Sequence, residues 1–203
     1  MILDLAAFEE EVYNASCKAL AVIKKDCQQE QLYSFVLVTT GLFGYVFPYA
    51  NTKEGVIAGA EYDVANAKSF HGRLDIAIKC NRWEPSPTWR FFQKHYDCFD
   101  SVNKMLEEVN IQDALCKLSD VEFSLTTDQI EDVLLNVLNK LRKDGHFGKD
   151  DDNFYANISY QDQTFEDLHR CALRVNSEDL CKSMWNDLSD VLKFWYSKDK
   201  EAG

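Results

Sequence analysis

The sequence has few of the residues that build metal or redox sites. Its 203 residues include four histidines, and no two of its seven cysteines are spaced as Cys-x-x-Cys. Zinc knuckles and thioredoxin-like redox motifs both need that spacing. The odd number of cysteines also argues against a disulfide framework, because at least one cysteine would be left unpaired. We therefore expect reduced thiols used as small core residues, with no metal and no cofactor.

Phosphate-binding loops and long hydrophobic runs are missing as well. Neither GxxxxGK[ST] nor GxGxxG occurs in the chain. The longest apolar runs, such as "FVLV" and "VLLNVL", are far shorter than the roughly 20 residues that span a bilayer. The first residues contain Asp4 and three consecutive glutamates where an export signal would carry positive charge. These absences predict a cytoplasmic protein that has no contact with a membrane.

Basic residues are scarce and scattered. The formal net charge is −12, and no run of lysine and arginine is longer than two residues. Because phosphate neutralisation needs a basic face, this balance argues against nucleic-acid binding. It fits either a solvated acidic surface or a surface that docks onto a basic partner.

The pattern of hydrophobic residues predicts a mixed fold. "LYSFVLVTT" and "FGYVFPY" flank a glycine and predict a β-hairpin, while the alternating segments "LDIAIKC" and "FYANISY" predict two further strands. Asp4 is a suitable N-cap for a first helix, and Thr126 with Gln129 predicts a capping box for the clearest helix. Ser177 begins the last predicted helix, which runs over residues 177–196.

These elements predict one α+β domain over residues 1–203. Its length is sufficient for one substantial core and gives no reason for a second domain. We expect a small, mainly antiparallel sheet of three to five strands, packed with about six helices. The C-terminal helix is expected to pack onto that domain.

The segment "RWEPSPTWRFF" (residues 82–92) concentrates two of the four tryptophans and two of the three prolines. Tryptophan and arginine are the residue types that dominate protein interfaces, so Arg82, Trp83, Trp89 and Arg90 are candidate partner-binding residues. The same residue types also cover the end of a sheet in small α+β domains. The segment is therefore either a corner of the core or a recognition surface, and one tryptophan can serve each role.

The densest acidic run is formed by Asp150, Asp151 and Asp152. Calcium loops place their ligands at alternate positions around a glycine, and "DGHFGKDDDN" does not follow that order. A metal loop is thus less favoured than a solvated loop or a negative patch that binds a basic partner. We include these three aspartates among the candidate partner-binding residues.

Catalytic residues are not predicted from the sequence. The four histidines do not pair with a serine or cysteine at a spacing typical of a nucleophile site. A catalytic triad can assemble from distant positions, so a hydrolase that uses carboxylates and His146 or His95 stays an alternative. Such an enzyme would show a deep pocket lined by one of these histidines and by carboxylates of raised pKa.

Three segments resemble, in the same order, a bacterial family named domain of unknown function 4303. They are "YSFVLVTTGLFGYVFPYANTKEG", then "RWEPSPTW", then "LRKDGHFG" followed by the strand "FYANISYQD". The resemblance covers roughly residues 1–175 and leaves the last helix unmatched. It supplies no catalytic residues.

The resemblance implies a function through a protein partner. Members of the family look like small cytoplasmic proteins, and several stand beside polymorphic or contact-dependent toxins. This placement implies an immunity protein that binds a cognate toxin domain and occludes its active site. A basic, nuclease-like toxin would complement the negative charge of this chain. A non-enzymatic scaffold or regulator unrelated to toxins is the main alternative.

Overall fold

The computed structural model describes residues 3–27, 29–148, 151–161 and 163–202. In these residues the chain forms eight α-helices, three β-strands and three short 3-10 helices. The strands are β1 (Leu32–Thr39), β2 (Val46–Thr52) and β3 (Tyr155–Tyr160). The helices are α1 (Leu5–Asp26), α2 (Lys53–Asn66), α3 (Leu74–Trp83), α4 (Asp100–Glu108), α5 (Ile111–Leu115), α6 (Asp120–Lys143), α7 (Phe165–Ala172) and α8 (Glu178–Ala202).

The sheet has the strand order β2-β1-β3, with β1 in the centre. Strand β1 pairs with β2 as the predicted antiparallel hairpin, and it pairs with β3 in parallel. Val36, for example, lies opposite Tyr49 on one side and Asn157 on the other. The predicted α+β class is confirmed. The expectation of a mainly antiparallel sheet is wrong, because β3 returns after the long helical connection that a parallel pairing requires.

Both faces of the sheet are covered. Phe35 and Leu37 belong to a core shared with α1 and α6, whereas Val36 belongs to a second core shared with α7 and α8. Successive residues of a strand point to opposite faces, so β1 must be apolar at consecutive positions. This explains the uninterrupted run "FVLV". The burial on both sides makes the structure three-layered, with the sheet between two groups of helices.

The segment "LDIAIKC" is helical, so its prediction as a strand is wrong. It forms α3, whose buried residues include Ile76, Ala77, Cys80 and Trp83. These positions follow the 3.6-residue period, and they bury one helix face against α2 and α8. A short alternating run fits both periods, and here the contacts with two other helices decide the outcome.

The N-cap of helix α6 lies seven residues before Thr126, the predicted N-cap. This N-cap is Ser119, whose side chain accepts from the backbone N–H of Glu122 in a complete capping box. The first buried residue of the helix is Ile130. The hydrophobic stripe therefore starts well after the helix itself, which is why the sequence pattern placed the start too late. The nearly three turns before Ile130 contain no buried residue, although the partly buried Phe123 packs against the core.

Helix α8 packs against α3 and α7. The buried residues on its packed side include Cys181, Met184, Leu188 and Val191. None of the helices in the described residues is long and apolar enough to cross a membrane.

Candidate functional site

The two tryptophans of residues 82–92 are core residues. Trp83 and Trp89 are each only 3% exposed. The Trp83 indole donates to the Asp187 carboxylate at 2.9 Å, and the Trp89 indole donates to the backbone oxygen of Asn81 at 2.8 Å. The N–H group of each indole thus has a hydrogen-bond acceptor inside the protein. Their burial favours the interpretation of this segment as a corner of the core and leaves little of either ring accessible to a partner.

The two arginines of the same segment are partly exposed but paired. The Arg82 guanidinium lies 3.1 Å from Asp187, and that of Arg90 lies 2.9 Å from Glu30. Hydrogen bonds from Thr52 and then from Arg90 lower the pKa of Glu30. Each arginine therefore holds the segment to its surroundings while leaving part of its side chain available to a partner.

Two glycines of α2 allow residues 82–92 to lie close to that helix. A Cβ at Gly55 would stand 2.3 Å from the side-chain oxygen of Asn51, and one at Gly59 would stand 2.9 Å from Thr88. The same buried Asn51 oxygen accepts from the backbone N–H of Arg90 at 3.1 Å. Glycine is needed here because the backbone of α2 lies against the segment and the end of β2.

An open cavity of about 810 Å³ lies between the start of β1, α2, α3, α8 and the loop before β3. We call it the main cavity. Its buried apolar lining residues are Tyr33, Val56, Trp83, Phe147 and Phe154. The remaining lining residues are Gln31, Leu32, Lys53, Ile57, Ile78, Arg82, Asn153, Leu180 and Ser183.

The charged groups that line the main cavity are both cationic. They belong to Lys53 and Arg82, and within the described part of the chain no carboxylate, histidine or cysteine lines the cavity. Burial raises the pKa of the Tyr33 hydroxyl, which donates to the backbone oxygen of Arg82 at 2.7 Å. The described lining thus combines aromatic and aliphatic side chains with two cationic ones.

The acidic run predicted as a binding loop lies beside this cavity in part. A 3-10 helix spans Asp151–Asn153, and Asn153 lines the main cavity. Asp152 is exposed, and its backbone oxygen accepts from the Ser177 hydroxyl at 3.2 Å. Asp150 and the side chain of Asp151 lie outside the described residues. The fold thus brings the segment containing Arg82 and the segment after Asp150 to one place.

His146 belongs to a polar cluster between α1 and the end of α6. Its Nε2 lies 3.6 Å from the Cys17 sulfur and 3.4 Å from the Tyr13 hydroxyl, which donates to Asp144 at 2.6 Å. Lys140 lies 2.8 Å from Asp144. Burial raises the pKa of Cys17, so the cysteine stays a thiol rather than a thiolate nucleophile. The cluster joins α1 to α6.

Glu84 lines two cavities, and the pKa of its carboxyl group is raised. Burial is the cause, and the Cys80 thiol donates to this carboxyl group at 3.2 Å. Two smaller cavities, of about 450 and 300 Å³, both include Glu84 and the adjacent Pro85. No histidine lines either of them or the main cavity. The combination expected of a carboxylate–histidine hydrolase therefore does not occur in these three cavities.

A strongly acidic helical region was not predicted from the sequence. Residues 107–132, which we call the acidic segment, contain eight carboxylates and one lysine, a net charge of −7 in a chain of −12. Among the described residues, no cation lies within ion-pair distance of Glu107, Asp120 or Asp128, and all three are exposed. Two apolar side chains between Asp120 and Asp128 in the sequence are also exposed, Val121 to 70% and Leu125 to 59%.

A signal for this region was present in the sequence. No lysine or arginine occurs between Lys117 and Lys140, and Val121 and Leu125 are four residues apart on one helix face. They precede the stripe that begins at Ile130, so they were not recognised as part of the same helix. In the structure they lie on the turns of α6 that precede the core.

The fold and these surfaces define a three-layered α+β protein with a cationic open cavity and an acidic helical segment. The family model "Domain of unknown function (DUF4303)" matches residues 10–177, and the chain belongs to this family. The family expected from the three sequence segments is thereby confirmed. No curated protein and no solved structure gave a match. Leu180, Ser183 and Asp187, which complete the wall around Arg82, lie beyond the matched residues.

Proposed function

We propose that this chain is a cytoplasmic immunity-type protein, which binds a cognate toxin domain and neutralises it by covering its active site. The acidic segment is the proposed binding face. The observation that carries the proposal is the exposure of Val121 and Leu125 among carboxylates without a cationic partner. Interfaces combine an apolar centre with a polar rim, and this surface has both.

The charge of the acidic segment defines the chemistry of the partner. A concentrated net charge of −7 attracts a basic surface and speeds its association. Toxins that cleave nucleic acids need a basic cleft to hold phosphates. A nuclease-like toxin domain is therefore the partner that this face complements best. The exposed parts of Arg82 and Arg90, with Asp152, are a second proposed contact area.

The experiment starts with a tagged pull-down from lysate of the cells that carry this sequence, followed by mass spectrometry of the bound chains. The expected result is a stoichiometric basic partner that kills a host when it is produced alone. Production of this chain together with the partner should restore growth. A partner that is harmless alone would contradict the immunity function and favour a scaffold or regulator.

A matched pair of variants then locates the face. Val121→Ser/Leu125→Ser removes the exposed apolar groups of α6, and it should abolish capture and protection. Ile57→Ser/Tyr62→Ser removes two similarly exposed side chains of α2 and should leave both intact. The reverse result would place the interface on α2.

A further inference from the structure

The main cavity supports a further inference, which is that it is a binding site for a small molecule. It goes beyond the proposed function, since it concerns a ligand rather than a protein partner. The volume of about 810 Å³ lies in the range typical of small-molecule pockets. Tyr33, Trp83 and Phe154 line the cavity while being less than a tenth exposed. The mouth is marked by the exposed lining residues, which are Gln31, Lys53, Ile57, Asn153 and Ser183.

Charge decides what kind of small molecule fits. Among the described residues, Lys53 has no carboxylate within ion-pair distance, and Glu54 beside it accepts from the backbone N–H of Gln31. Lys53 is also the first residue of α2, where the helix dipole adds positive potential. Arg82 pairs with Asp187 at 3.1 Å and keeps 42% of its side chain exposed, while Lys79 pairs mainly with Asp190 at 2.6 Å. An anionic group is thus favoured at the mouth and a cationic one is disfavoured.

We propose that the main cavity binds an amphipathic monoanion, a molecule with an apolar body and a single carboxylate or similar head group. The body occupies the aromatic interior formed by Tyr33, Trp83 and Phe154. The anionic head lies at the mouth, where it is paired with Lys53 and the free side of Arg82. Binding requires neither a metal nor a covalent step.

Three probes test the chemistry directly on the full chain. Anilinonaphthalene sulfonate, an aromatic monoanion that fluoresces in apolar sites, should bind with a stoichiometry of one. Decanoate should displace it at least tenfold more effectively than decyltrimethylammonium, which has the same chain length and the opposite charge. Equal displacement by the two would overturn the proposal, as would a lack of binding below millimolar concentration.

Variants then locate the bound probe. Ser183→Trp and Ile57→Trp each place a bulky ring at the mouth from an exposed position, and both should abolish the fluorescence. Ser197→Trp, also exposed on α8 but outside the lining, should leave it unchanged. If Ser197→Trp lowers binding as much as Ser183→Trp, the probe lies elsewhere and the proposal fails.

A further pair of variants measures how much the charge of Lys53 contributes to binding of the anionic head group. Lys53→Ser should weaken decanoate binding about threefold to fivefold, the range of a partly solvated ion pair. Decanol, which lacks the charge, should bind Lys53→Ser and the unchanged chain equally. Lys25→Ser, at an exposed lysine of α1 outside the lining, is the control for net charge. A loss of decanoate affinity in the control as large as in Lys53→Ser would contradict the assigned head-group site.

Discussion

The Trp83 indole donates a 2.9 Å hydrogen bond to Asp187, and this bond ties residues 82–92 to α8. Arg82 and Lys79 approach the same carboxylate, at 3.1 and 4.0 Å. Asp187 is 15% exposed at its side chain, so its charge is balanced mainly by these α3 residues. One carboxylate thus joins the family-matched part of the chain to the helix that follows it.

Removal of this acceptor should destabilise the fold. Asp187→Ala leaves the buried Trp83 N–H without a partner, which costs about 1–3 kcal/mol of the free energy of unfolding. Asp187→Asn keeps an acceptor and should lower the free energy of unfolding by a smaller amount. Asp190→Ala, which removes a more exposed ion pair of Lys79 at 2.6 Å, is the matched control and should have the smallest effect. Urea denaturation followed by circular dichroism measures all three, and an equal loss in the control would contradict the assignment.

The close approach at α2 predicts a second difference in stability. Gly55→Ala places a Cβ 2.3 Å from the buried Asn51 side chain, and the repacking should cost about 1–3 kcal/mol. Gly41→Ala meets no atom within 4 Å and should leave the free energy of unfolding unchanged or slightly higher. Thermal and urea unfolding of the two variants provide the test. Equal stability of both would mean that α2 does not need glycine for its contact with residues 82–92.

Glu84 predicts a pH dependence of stability with a defined sign. Burial raises its pKa in the folded chain, so the folded state holds this proton more tightly than the unfolded state does. Stability from this group is therefore full below the ordinary carboxyl range and is lost as the pH rises through the raised pKa. Glu84→Gln removes the titration while keeping an acceptor for the Cys80 thiol.

The Glu84→Gln substitution should therefore increase the free energy of unfolding most at high pH. Urea unfolding of this variant and of the unchanged chain, measured between about pH 5 and 8, should show a stability advantage that grows with pH and then levels off. Glu10→Gln, at an exposed carboxyl group on α1, is a suitable control. An advantage that is constant across this pH range would exclude a raised pKa as its cause.

Two triple variants compare the proposed binding faces. Glu107→Ser/Asp120→Ser/Asp128→Ser alters the acidic segment, and Asp150→Ser/Asp151→Ser/Asp152→Ser alters the acidic run near the main cavity. Each changes the net charge by +3, so only the location differs. Association with the captured partner, measured by stopped flow at several salt concentrations, should slow most in the first variant and lose part of its salt dependence.

The association rates of the two triple variants test the two proposed binding faces independently. No change in the association rate of the 150–152 variant would remove that run from the interface. A larger effect there than in the acidic segment would contradict our choice of the main face. Equal slowing in both would indicate that net charge alone, rather than position, governs the encounter.

Local signals predicted several elements correctly. Asp4 caps α1 by accepting from the backbone N–H groups of Ala6 and Ala7, as its residue type indicates. The hairpin of β1 and β2 follows from β-branched and aromatic residues around a glycine. Gly145 adopts φ +76° just after α6, where a left-handed C-cap favours glycine. Each of these depends on neighbours in the chain.

Other features depend on distant contacts. Nothing within "LDIAIKC" distinguishes a strand from a helix until α2 and α8 cover Ile76, Ala77 and Cys80. The burial of Trp83 depends on Asp187, more than 100 residues later in the chain. The main cavity is likewise assembled from five separate segments, so no motif could indicate it.

Composition and periodicity were sufficient for the α+β class, the first hairpin and the family, because these depend on local preference and on short ordered motifs. The parallel placement of β3, the burial of both tryptophans and the cavity beside Arg82 were decided by tertiary packing. Such features are set by which surfaces exclude water together, and that choice is made by residues far apart in the chain.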